Sequence, residues 1–265
     1  MTDTATSIAE ERAAMQRAEK RQMRRRRSAI LPLLLDLVEQ TAQAAGKRPF
    51  YVQVGAHDGV LGDPLCDRTI AHRWSGLLLE PSAIYYDQLC ALYPDRPDMI
   101  IRNLGVSAKK EKLTLFRVDE AHRAAYPFSI AGCASLNRKL LLDHMMRHSA
   151  EADAHICTET VQLDPLRTVL RREKITRIDM LIVDVEGHEI EVFDSFDLSK
   201  AAPRLIWYEH KHLARQANRA LMSRFLDEGY KPARVGQDTA VLHPSLATEG
   251  VVTTLVELGA TLAKP

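Results

Sequence analysis

The stretch Phe50-Tyr51-Val52-Gln53-Val54-Gly55-Ala56-His57-Asp58-Gly59 decides the fold class of this chain. Phe50 to Val54 is a short aromatic and β-branched run, the composition of a strand buried on both faces in a parallel sheet. It ends in two glycines four apart, where the backbone can take φ > 0 or pass close to a ligand because no Cβ stands in the way. The spacing departs from the G-x-G-x-x-G that brings a pyrophosphate onto a helix N-terminus, and a looser turn suits a ligand without a pyrophosphate. Taken alone, the pattern is also what ordinary turn chemistry produces.

Four further runs repeat the arrangement. Ser75-Gly76-Leu77-Leu78-Leu79 is a second buried strand ending in Glu80-Pro81. An acid at the carboxyl end of the second strand of a βαβ unit is placed to accept hydrogen bonds from ribose hydroxyls, and Pro81 stops the strand. Met99 to Val106 is a third strand carrying Asn103, suited to the edge of an adenine. Ile178 to Val183 runs into Asp184-Val185-Glu186-Gly187-His188-Glu189, and Leu205-Ile206-Trp207-Tyr208-Glu209-His210 finishes in polar groups too. Polar residues at successive strand ends belong at the carboxyl edge of an open α/β sheet, where ligands bind.

Val52 to Gly59, Gly76-Leu77-Leu78-Leu79-Glu80-Pro81, Ala134-Ser135-Leu136, Val161-Gln162-Leu163-Asp164 and Ile178 to Glu189, in that order, resemble the motifs of the FkbM-type methyltransferases. The likeness runs from about Phe50 to the strand near Val241, and Asp184-Val185-Glu186-Gly187 is its most specific part. It implies a Rossmann-like class I methyltransferase fold: α/β, a mostly parallel seven-stranded sheet with an antiparallel last strand, and helices on both faces. It also implies S-adenosylmethionine as donor, a sugar or other small hydroxylated acceptor, and a donor site drawn from Gly55, His57, Asp58, Gly59, Glu80, Pro81, Ser82, Asn103 and Asp184. The family commonly has an acid where this chain has Gln53. The role of that carboxylate near the methionine ammonium then falls to the amide or to Asp58.

With 265 residues, 46% hydrophobic and 27% charged, the chain is long enough for one α/β core with a tail or insertion and short for two. Its division reads as a basic helical extension over 1–28 and one methyltransferase domain over 29–265, with an insertion or lid over 119–157. The formal charge of +1 gives no global field pointing to nucleic acid. Locally, Glu10 to Arg27 holds eight basic side chains against three acids. That segment reads as a solvated helix or, alternatively, as an arm for RNA or anionic lipid. The apolar run Ala29 to Leu35 is interrupted by Asp36 and Glu39, which makes it an amphipathic helix on the sheet and neither a signal peptide nor a membrane span. Cys66, Cys90, Cys133 and Cys157 are far apart, as buried free thiols in a reducing cytosol would be, and the expected location is cytoplasmic.

Lys112 to Val118 alternates with period two and reads as a strand extending the sheet region after the third. Asp119 to Cys157 is the least regular part, and a long excursion between core strands often forms a substrate wall. Thr158 to Leu163 returns as a strand, and Tyr230 to Val235 with Thr239 to Leu242 forms a closing antiparallel pair.

A hydroxyl acceptor must lose its proton, either to a positioned base or by binding a cation that lowers its pKa. The strand ends bring Asp184, Glu186, Glu209 and His210 forward as catalytic candidates, with His210 first as base and His57 and His188 as alternatives. Asp184, Glu209 and His210 would suit Mg²⁺ or Mn²⁺ better than zinc, a metal dependence left open. Asp184 and Glu186 could equally cap the helix that begins near His188. Two other function classes stand beside the small-molecule O-methyltransferase. One is a macromolecule- or nucleic-acid-associated methyltransferase using the Arg24 to Arg27 cluster; the other is an NAD-dependent oxidoreductase, disfavoured by the missing G-x-G-x-x-G. No stable nucleic-acid partner and no transmembrane segment are expected, and a homo-oligomer is allowed.

Overall fold

A computed structural model of the chain describes residues 17–263. Glu10, Glu11 and Arg12 of the basic segment lie outside the described residues. Twelve strands follow in order: β1 (Phe50–Val54), β2 (Ser75–Leu79), β3 (Met99–Arg102), β4 (Gly105–Val106), β5 (Glu111–Val118), β6 (Ala134–Ser135), β7 (Ile156–Asp164), β8 (Met180–Val183), β9 (Leu205–Glu209), β10 (Lys231–Val235), β11 (Asp238–Leu242) and β12 (Thr261–Leu262).

Eight of them form one sheet in the order β12-β10-β11-β9-β8-β1-β2-β3. β3, β2, β1, β8 and β9 are parallel. The order runs outward from β1 in one direction and from β8 in the other, so the topological switch point, where doubly wound folds bind ligands, lies between them. β11 pairs antiparallel with both β9 and β10. This is the Rossmann-like methyltransferase arrangement that the motifs implied, with one strand more than the seven expected: β12, antiparallel on the edge of β10.

Alternation along the strands makes two cores. Tyr51, Leu78, Met180 and Ile182 face Ile30, Leu34, Leu35 and Val38. Those four residues make one stripe of the helix Ile30–Ala44, as the amphipathic reading of that segment required. Val52, Val54, Leu77, Leu181 and Val183 face the opposite layer, where Val169, Val192, Phe193, Leu221 and Phe225 come from three helices. Each such side chain, fully buried, contributes about 1.5–3 kcal/mol.

The third strand departs from its expected course. It leaves the main sheet after Arg102, because the Asn103 side-chain amide donates to the carbonyls of Glu80 and Pro81 at 3.0 and 2.8 Å and bends the chain away. Gly105–Val106 and Lys112 to Val118 therefore do not extend the main sheet. They join a second, four-stranded sheet in the order β4-β7-β5-β6, in which β5 and β7 pair antiparallel along their length. The stretch from 119 to 157 has structure of its own, with short helices Phe128–Ala131 and Arg138–Met145 around a small core of Val118, Tyr126, Leu141 and Met145. Residues 17–28 are helical and mostly exposed, and the Arg27 Nε–H donates to the Gly259 carbonyl at 2.9 Å. Among the described residues no helix is long and apolar enough to cross a membrane.

Candidate active site

A cavity of about 520 Å³ opens between the carboxyl edge of the main sheet and the second sheet. Gln53, Ile182 and Trp207, aligned across β1, β8 and β9, form its floor, and Leu31 reaches it from the helix below. Gly105, Leu115, Ala134 and Val161 roof it, and Phe128 and Gly132 stand at one side.

The loop after β1 forms the first half. Gly55 has φ +82°, and a Cβ there would land on the carbonyl oxygen of Asp184. Its amide donates to the Leu79 carbonyl at 2.9 Å, so one residue joins the ends of β1, β2 and β8. Glu80 is buried, with Oε2 accepting from the His57 amide at 2.8 Å and Oε1 from the Ser82 amide at 2.9 Å. Burial pushes its carboxyl up to about 7 despite those two bonds, and the nearby Glu159 and Asp58 push the same way. Gly55, His57, Glu80, Pro81 and Asp184 all line the cavity.

The other expected donor-site residues are placed differently. Gly59 faces the helix Ala83–Leu92, where a Cβ would stand 2.6 Å from Leu89. Asp58 Oδ1 accepts from the amides of Val60 and Leu61 at 2.9 and 2.7 Å, which holds the turn. Burial raises its pKa, but these amides together with His57 outweigh it and the net shift is downward. Asn103 spends its amide group on the bend after β3. Ser82 occupies the cap position without capping by its own side chain. Glu159 of β7 accepts from the Ala83 amide at 2.9 Å and does that work.

Beside Gln53 stands a carboxylate that the sequence reading did not single out. Gln53 Nε2 donates to Asp63 Oδ2 at 3.2 Å, while Gln53 Oε1 is buried with no hydrogen-bond partner. Asp63 is fixed by the amides of Leu65 and Cys66 at 2.6 and 3.2 Å, and burial pushes its carboxyl up to about 6. Both residues line the cavity. The signal was the Gly62-Asp63-Pro64 turn just before a helix, a spacing in which aspartate caps.

The second half comes from the turn after β8 and the end of β9. Asp184 stands open to the cavity, but the protein packed around that space desolvates its carboxyl, and this, with the charges of Glu209 and Glu186, holds its pKa well above the ordinary range. Glu186 has φ +49°, a conformation costing of order 1–3 kcal/mol that persists only where the surroundings enforce it. Here Ser135 Oγ donates to its carbonyl at 2.9 Å, and Glu189 Oε1 accepts from the amides of Val185 and Gly187 on either side.

His210 is not part of this group. Its Nε2 accepts from Arg234 at 3.0 Å and its Nδ1 donates to Thr239 Oγ1 at 2.9 Å, and burial with the Arg234 charge depresses its pKa to about 4. The imidazole expected there is supplied by His212, whose side chain is only 6% exposed. His212 Nε2 lies 3.0 Å from Glu186 Oε2 and 3.4 Å from Glu209 Oε2. The Asp184, Glu209 and His210 ligand set is corrected accordingly: among the described residues, the group close enough to share an ion is Glu186, Glu209 and His212. The His57 and Tyr85 ring centres lie 3.7 Å apart with the planes tilted by 35°, and His188 Nε2 sits 3.3 Å from Ser107 Oγ.

The enclosed space thus has carboxylates and backbone amides at one end and a carboxylate–imidazole group at the other. It can hold an extended polar ligand across the switch point with a second molecule against the β8 and β9 ends. Residues 53–232 match the family described as the methyltransferase FkbM domain. No curated protein matches the chain significantly. Among solved structures, a chain of a fibrillarin/Nop5p complex aligns at 10% identity and a TM-score of 0.34, covering 73% of this chain and 70% of that one, a likeness too distant to carry any inference.

Proposed function

Because the chain belongs to the FkbM methyltransferase family, with S-adenosylmethionine as its methyl donor, we propose that it is an O-methyltransferase of a small hydroxylated acceptor such as a sugar unit. The observation that carries this reading is one cavity joining the β1 and β2 loops to Glu186 and Glu209, with His212 buried against both carboxylates. Glu80 accepts from the ribose hydroxyls, and Asp63 with the free Gln53 carbonyl receives the methionine ammonium, a part that fell to the Gln53 amide or to Asp58 in the sequence.

The acceptor hydroxyl lies at the Glu186, Glu209 and His212 end, and its proton leaves to that group. Its oxygen forms the bond to the methyl carbon as the carbon–sulfur bond breaks, and the electron pair of that bond stays on sulfur. In-line displacement asks mainly for collinear reactants, and a roofed cavity supplies them with little water present. The stretch 119–157, as lid, selects the acceptor.

Isothermal titration with S-adenosylhomocysteine tests the donor site. Binding is expected, NAD should not compete, and Glu80→Ala should weaken affinity at least tenfold with the melting transition still cooperative. NAD binding, or S-adenosylhomocysteine affinity indifferent to Glu80, would count against the reading and favour the oxidoreductase class.

The same titration carries a pH dependence. Burial disfavours the ionised form of Glu80, which titrates near 7, and ribose hydroxyls donate to the ionised form. Affinity should therefore be full above about pH 8 and fall below pH 7 by up to about tenfold per unit. A flat profile between pH 6 and 8 would remove Glu80 from the donor contacts.

A further inference from the structure

We infer that Glu186, Glu209 and His212 form a binding site for one divalent cation of the Mg²⁺ or Mn²⁺ class, facing the acceptor end of the cavity. The inference rests on the proposed acceptor site but is tested without turnover.

The two separations from the imidazole are close to those of neighbouring ligands on an octahedral ion. Metal–ligand distances of about 2.1 Å require neighbouring ligand atoms about 3.0 Å apart. The observed separations from His212 Nε2 are 3.0 Å to Glu186 Oε2 and 3.4 Å to Glu209 Oε2, and all three atoms lie within 4.8 Å of one another. Glu186 and Glu209 line the cavity, so waters and an acceptor oxygen would complete the shell from that side, the ion lowering the pKa of the hydroxyl so that its proton leaves to water in place of the imidazole.

Two of the three ligand atoms are otherwise orphaned. His212 Nε2 and Glu209 Oε2 are buried without a hydrogen-bond partner, and the His212 side chain is 94% enclosed by the protein around it. Such groups are costly to leave unpaired in a folded chain. The carboxylates are also pre-aimed. Cys133 Sγ–H donates to Glu186 Oε1 at 3.3 Å and Lys211 Nζ to Glu209 Oε1 at 3.1 Å, so each second oxygen is held by a neighbour while each Oε2 turns toward the imidazole. Outer partners that orient the ligands are a regular feature of metal sites. Two carboxylates and one imidazole without a thiolate select a hard cation. Asp184 and Asp238 line the same cavity as further carboxyl groups, and Lys211 stands 3.1 Å from Glu209 Oε1.

An imidazolium pinned between two carboxylates would have the same separations and would bind no cation, so direct binding separates the two. The full chain, freed of metal by chelation, is titrated with Mn²⁺ and followed by electron paramagnetic resonance, with S-adenosylhomocysteine binding and thermal melting measured on every sample. One Mn²⁺ per chain is expected, displaced by excess Mg²⁺ and weakened at least tenfold in Glu209→Gln and in His212→Asn. His210→Asn should leave Mn²⁺ affinity unchanged. Wild-type chain that binds S-adenosylhomocysteine but no Mn²⁺ overturns the cation site and leaves the methyltransferase reading intact. Mn²⁺ affinity equal in wild type and both variants overturns it as well. Site-dependent Mn²⁺ binding without S-adenosylhomocysteine binding supports the cation site while counting against the proposed donor site.

Discussion

Gly55→Ala is expected to abolish donor binding and to lower stability by about 3 kcal/mol or more. At φ +82° an alanine pays the left-handed penalty of roughly 1–2 kcal/mol. Its Cβ would also strike the carbonyl oxygen of Asp184, which is backbone and cannot rotate aside. Overpacking of a tight interior adds typically 1–3 kcal/mol, and here the relief is to push β1 away from β8 at the switch point. Gly46→Ala is the control, since Gly46 has φ +67° with nothing within 4 Å of the added methyl. It should show the conformational penalty alone and keep donor affinity. Urea denaturation and S-adenosylhomocysteine titration of the two variants make the comparison. A Gly55→Ala chain as stable and as tight as the Gly46→Ala chain would mean that β1 and β8 do not need this close approach.

His212→Asn is expected to reduce turnover by about 10²–10⁴-fold while S-adenosylhomocysteine affinity stays within about twofold. The side chain sits at the acceptor end, beside Glu186 and Glu209 and away from Glu80 and Asp63, so its loss touches the chemical step and spares donor contacts. His210→Asn makes the opposite pattern. It breaks a buried contact with Arg234 and Thr239 and should cost about 1–3 kcal/mol of stability with turnover of the folded fraction preserved. Single-turnover kinetics with an identified acceptor and denaturation curves distinguish the two. If His210→Asn loses turnover and His212→Asn does not, the imidazole assignment reverses.

That pair of histidines shows where the sequence was legible and where it was not. β1, β2, β8 and β9 could be read because parallel strands buried on both faces are continuous apolar runs, and the polar residue closing each run marks the ligand edge. Parity along β9 also carried information that went unused. Trp207 and Glu209 line the cavity, so Tyr208 and His210 face away by the period of two. His212 returns only because Lys211 and His212 lie in a turn, and a turn's direction is set by tertiary contacts that no local pattern encodes. The alternation of Lys112 to Val118 likewise identified a strand and said nothing of its partners. Its membership of a second sheet depends on the bend at Asn103, fixed by carbonyls 22 and 23 residues earlier in the chain. Asp63 belongs to the same class, since its placement beside Gln53 follows from the path of a loop.

The short β4 pairs parallel with the end of β7, Gly105 opposite Leu163 and Val106 opposite Asp164. The chain therefore leaves the main sheet and comes back to it through two backbones that lie side by side. Everything between them hangs from one pair of stems, as a loop does from a hairpin, though it carries most of a sheet and several short helical segments. Such a piece can be exchanged as a cassette on stated terms: a graft from a relative must keep the two-residue ladder and also supply the contacts that Ser135 and Cys133 make to Glu186 and that Glu159 makes to the Ala83 amide. With those contacts kept, the donor floor and the residues after β8 and β9 would stay where they are. Acceptor range could in this way change by recombination of a module, with no need for the methyl-donor machinery to be rebuilt.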